Sequence, residues 1–85
     1  MRTVVEEHDV ESTVDSAVEK HPRVGAAFDG LVWRIARRPE DGIKLQDGLL
    51  VYKQPGIPRQ EIPAIRVLYR YSDSTVNILD IDFVY

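Results

Sequence analysis

The sequence predicts an α+β domain in which two N-terminal helices pack on a mainly antiparallel sheet, in the order β-α-α-β-β-β. Three observations predict it. Apolar residues recur at helical spacing through residues 10–35, they recur at every second position from residue 64 onward, and Pro, Gly and Asp cluster between the two regimes. Eighty-five residues make one domain, spanning 1–85, near the lower limit of what folds on a single core.

The opening stretch "RTVVEEHD" is β-branched and short, and reads as a first strand. In "DVESTVDSAVEKH", Val10, Val14, Ala17 and Val18 share one helical face; Asp9 is placed to cap the helix, and Ser12 with Asp15 has the form of a capping box. Pro22 then suits the first position of a second helix, where its missing N–H is not needed. That helix runs through "PRVGAAFDGLVWRIARR", with Val24, Phe28, Leu31, Val32 and Ile35 on one face, and stops before the "PEDG" turn. Trp33 falls off this face, beside Ala26, Gly30 and Arg37. It either packs against the first helix or, exposed, marks a contact site. Asp47-Gly48 signals a hairpin or bulge inside "GIKLQDGLLVYKQ", and three prolines make "PGIPRQEIP" a loop. "AIRVLYRY" and "TVNILDIDFVY" are the closing strands.

Composition narrows the function classes. No cysteine is present, which excludes thiol nucleophiles, thiolate metal sites and disulfides. His8 and His21 have no ligand-like spacing, so neither a metal nor another cofactor is expected. No segment has membrane-spanning character and "MRTVVEEHDV" lacks the apolar run of a leader, so a cytoplasmic location is expected. The net charge of −3 is unevenly spread. Residues 1–30 carry three basic and seven acidic groups, residues 31–71 carry eight and four, and the remainder adds three aspartates. The basic middle either forms a local positive patch or is neutralised by the fold.

Two arginines in the third strand sharpen that alternative. Ile65, Val67, Tyr69 and Tyr71 alternate with Ala64, Arg66, Leu68 and Arg70. In the last strand Leu79, Ile81, Phe83 and Tyr85 alternate with Val76, Ile78, Asp80, Asp82 and Val84. Matching the apolar sets requires an odd-length loop. A loop of Asp73 to Thr75 sets Arg66 opposite Asp82, whereas Ser72 to Ser74 sets it opposite Asp80. Such a pair on a solvated face contributes about 0.2–1 kcal/mol and accounts for the residues without any function. The competing account is recognition of phosphate, whose oxygens match the guanidinium fork.

The order of elements, with "ARRPEDGIKL", "GLLVYK", "PAIRVLYRY" and "VNILDIDFVY", resembles the RelE/ParE superfamily of bacterial toxins. Pro39 to Gly42 matches the family's Pro-x-x-Gly turn after the second helix, Ile65 to Tyr69 its arginine-bearing strand, and Val76 to Ile81 its final apolar strand. The resemblance implies a RelE-like fold and the toxin of a type II toxin–antitoxin system, neutralised by an antitoxin encoded adjacently. A RelE-like member would be a metal-independent endoribonuclease cutting mRNA on the ribosome. The 2′-hydroxyl attacks the neighbouring phosphate while cations stabilise the phosphorane and an acid protonates the leaving 5′-oxygen. The alternative is a non-catalytic binding module acting by protein–protein contact, on gyrase in the ParE manner or on an antitoxin or other partner. A homodimer is a further open assembly. By the resemblance Arg66, Lys53 and Tyr85 are the catalytic candidates, and Lys44, Arg59, Tyr69 and Arg70 would bind substrate. Asp82 and Phe83 stand where active members commonly carry a His-Arg pair, so the resemblance is to a divergent member.

Overall fold

A computed structural model describes residues 2–84. Two helices pack on one face of a five-stranded mixed sheet, an α+β arrangement. Strand β1 (Thr3–Glu6) leads into α1 (His8–Lys20) and α2 (Arg23–Arg37); β2 (Ile43–Lys44), β3 (Leu50–Gln54), β4 (Ala64–Tyr71) and β5 (Thr75–Val84) complete the sheet. Its strand order is β1-β5-β4-β3-β2, with β1 parallel to β5 and the other neighbours antiparallel. The stretch 43–54, counted once in the expected order of strands, is two strands, the hairpin alternative of the Asp47-Gly48 signal. Asp47 and Gly48 both adopt positive φ, 60° and 76°, and turn β2 back onto β3.

Helix α1 begins at His8, one residue before the expected cap, and Glu7 precedes it without a side-chain capping bond. Asp9 therefore lies in the first turn, where its carbonyl accepts the Thr13 hydroxyl at 2.8 Å. Pro22 precedes α2 rather than opening it. The apolar face of α2 is buried as its periodicity predicts, with Val24, Phe28, Leu31 and Ile35 almost fully enclosed. Each large side chain so buried contributes roughly 1.5–3 kcal/mol. The face packs with Val10 of α1 on Leu50, Ile65, Val67, Tyr69, Val76, Ile78 and Ile81 of the sheet.

Tyr69 is the largest fully buried side chain. Its hydroxyl donates to the Pro39 carbonyl at 2.5 Å, and burial pushes its pKa up from 10.0 to about 12. Gly42 makes room for this ring: a Cβ there would strike the hydroxyl and stand 3.0 Å from Cζ. The Pro39–Gly42 turn is thus the seat of a core tyrosine.

The β4–β5 hairpin departs from the expected odd loop. Ser72 N–H donates to the Thr75 carbonyl at 2.8 Å across Asp73 and Ser74, so the turn is even. Tyr71 faces Val76 and Tyr69 faces Ile78; a bulge at Leu79 then makes Leu68 face Asp80, Arg66 face Asp82 and Ile65 face Phe83. Val76 and Ile78, expected on the mixed face, consequently lie in the core, and Leu79, expected among the apolar set, is only half-buried. The Asp80 carboxylate accepts the Ile81 N–H at 2.9 Å beside the bulge.

Candidate functional site

The face of the sheet opposite the helices carries a shallow groove of about 370 Å³. Its geometry follows from register. Lys53, Arg66 and Asp82 stand side by side on β3, β4 and β5; one step along, Ile43, Val51, Leu68 and Asp80 form the next row. Leu45 closes the groove beside β2. Alternation sends the neighbours of these residues into the core, so the row identities are fixed by what the helices cover.

Arg66 is engaged within the fold: its guanidinium hydrogen-bonds the Asp82 carboxylate, both side chains being half-exposed. A pair so open to solvent contributes about 0.2–1 kcal/mol. Lys53 neighbours Arg66 and has no ion pair among the described residues. The groove therefore holds two cations and two carboxylates around an apolar wall in which Ile43 and Leu45 are 54% and 50% exposed.

Of the sequence-predicted site residues, the fold brings together Arg66 and Lys53. Arg70 lies on the same face, further along β4 and opposite Asn77, outside the groove lining. Lys44 faces Leu50 in the row of Tyr69, on the helix side of the sheet. Arg59 sits in a single 3-10 turn, Pro58–Gln60, and lines a separate hollow with Pro22, Arg23 and Glu61. Tyr69 is 0% exposed with its hydroxyl held by Pro39, so the expectation that it binds substrate is corrected to a core role. Tyr85 lies outside the described residues. The apolar wall was missed, although the place of Leu68 between two arginines signalled it.

A second feature lies at the far end of α2. Trp33 is half-exposed, not packed under α1, and Arg37 stacks on its ring at 4.5 Å; Arg2 stacks on Tyr71 at 5.2 Å. Among the described residues no cluster of His, Asp and Glu could hold a metal ion, and no helix is long and apolar enough to cross a membrane.

The chain matches no family model, no curated protein and no solved structure.

Proposed function

We propose that this chain is a divergent RelE/ParE-like toxin-fold module that acts by protein–protein contact through the outer sheet face. The carrying observation is the bond between Arg66 and Asp82, which occupies the guanidinium that RNA chemistry would require. Asp80 and Asp82 line the same groove and would repel a phosphate diester, while Ile43, Leu45, Val51 and Leu68 supply apolar contact area suited to a protein segment. Besides Lys53, the remaining candidate cations, Lys44, Arg59 and Arg70, do not line the groove that holds Arg66. The partner is an adjacently encoded antitoxin or, in the ParE manner, gyrase, and the setting is cytoplasmic.

A ribosome-dependent nuclease is the second reading, favoured by the adjacency of Lys53 and Arg66. Cell-free translation with purified protein separates the two. Intact message, together with capture of the adjacently encoded protein that Leu68→Glu abolishes in a folded variant, supports the contact module. Cuts at ribosome-occupied codons that vanish with Arg66→Ala would replace it by the nuclease.

A further inference from the structure

The charges of the outer face are arranged so that the face complements itself. Cations stand on β3 and β4 (Lys53, Arg66), anions on β5 (Asp80, Asp82), and Val51 and Leu68 lie between them. Strands are about 4.8 Å apart and alternate residues about 6.7 Å along a strand, which turns the register into a grid. On that grid, a two-fold axis lying against the sheet between Arg66 and Leu68 superposes opposite charges. Lys53 of one copy meets Asp80 of the other. Arg66 falls between Asp80 and Asp82 of the other copy, and Val51 and Leu68 fall on the opposing Val51 and Leu68. Symmetry makes each contact twice.

We infer that the outer sheet face is the interface of a two-fold homodimer. Three further observations fit a second copy. The four groove charges sum to zero, so two copies of a chain with net charge −3 meet on this face without repulsion there. The molecule measures 35 × 23 × 22 Å, so its broadest face bounds an interface at roughly 800 Å² in projection, which leaves room for the area per partner of a standard interface. Ile43 and Leu45, both about half-exposed, extend the apolar strip that such an interface encloses. Arg66 and Asp82 already pair within the chain; an acidic or basic partner would match only one of Lys53 and Asp80, whereas a second copy matches both. The inference goes beyond the proposed function and does not rest on it. A protein partner seated in the same groove would compete with the second copy.

The test is sedimentation equilibrium of the purified chain alone, so its outcome is independent of any target. The wild type is expected to show twice the 9.7 kDa chain mass at high concentration. Lys53→Glu and Asp80→Lys, each checked for native circular dichroism, are expected to weaken self-association at least about tenfold. Mixing the two variants restores the dimer. Across the axis the introduced carboxylate then meets the introduced ammonium, and the native Asp80 of one copy meets the native Lys53 of the other. Because Asp80 also holds the bulge, Leu68→Arg provides an independent variant, expected to be folded and monomeric. A wild type monomeric at every concentration, folded variants that dimerise as the wild type does, or a mixture that fails to re-associate would each overturn the inference.

Discussion

Removing one oxygen from the core tests how the turn after α2 is held. In Tyr69→Phe the Pro39 carbonyl, on a buried residue, loses its donor while the ring volume is kept. An orphaned buried acceptor costs about 1–3 kcal/mol. For a domain of this size each kcal/mol lowers Tm by about 4–8 °C, so the variant should melt roughly 4–24 °C below the wild type at neutral pH. The same oxygen fixes a pH dependence. Burial raises the Tyr69 pKa from 10.0 to about 12, so between those values the folded chain retains a proton that the unfolded chain has released. The native state binds more protons there, and stability falls as pH rises from 10 through 12, by ~3 kcal/mol in total. The contribution is fully present below pH 10. Thermal melts followed by circular dichroism at neutral pH and up the alkaline limb should therefore show the two curves converging. A variant as stable as the wild type at neutral pH, or two curves that stay parallel above pH 10, would refute the assignment of Tyr69 as a buried hydrogen-bonded anchor.

Four further outcomes are expected. Gly42→Ala should destabilise by about 1–3 kcal/mol through overpacking against Tyr69, and the Gly42→Ala/Tyr69→Phe pair should lose less than the sum, because the hydroxyl is the first atom struck. A double-mutant cycle on Arg66→Ala and Asp82→Ala should give a coupling of about 0.2–1 kcal/mol that shrinks with added salt; strict additivity would dismiss the pair. Partial burial, then Glu11, Asp29 and Asp15, raise the Glu6 pKa above 4.5, so its charge works against folding at higher pH. Glu6→Gln should raise Tm at neutral pH, with the advantage gone once pH falls below 4.5. Deletion of Leu79 should leave a folded chain with Arg66 still opposite Asp82, since it removes only the bulged residue; an altered amide pattern throughout β4 would contradict this.

The helices were legible because each rests on a repeated signal, and one face of α2 alone carries Val24, Phe28, Leu31 and Ile35 at helical spacing. The closing hairpin was legible as a pair of strands but not in its register. A uniform alternation does not hold along β5, and the doublet Ile78-Leu79, two apolar residues in succession, is the sign that the phase slips. The pairing of Arg66 with Asp82 was among the two registers expected, and it arises by a different route, an even turn and a bulge instead of an odd loop. Site residues were least legible because local sequence does not report which way a loop carries a side chain. Arg59 left the groove for that reason. Lys44 left it because β2 is only two residues long and Ile43, not Lys44, takes the outer place.

The bulge also explains how one strand serves two surfaces. On the turn side of Leu79, Val76 and Ile78 face the helices; beyond it Ile81 and Phe83 do so, three residues on from Ile78 rather than two. Were Leu79 paired in a regular ladder instead of bulged, a strand bearing Val76, Ile78, Ile81 and Phe83 would turn half of them to solvent, at roughly 1.5–3 kcal/mol for each large side chain lost from the core. Burial therefore dictates the phase slip, and the phase slip in turn sets Asp80 and Asp82 on the outer face beside Leu68 and Arg66. The carboxylates that oppose phosphate binding in the groove are thus held there by core packing on the other side of the sheet. Substituting Asp82 changes the groove without touching that packing, whereas reversing the orientation of the two carboxylates would require refolding the strand. A groove whose charge pattern is fixed in this way favours contact with a surface of matched charges over catalysis on a polyanion.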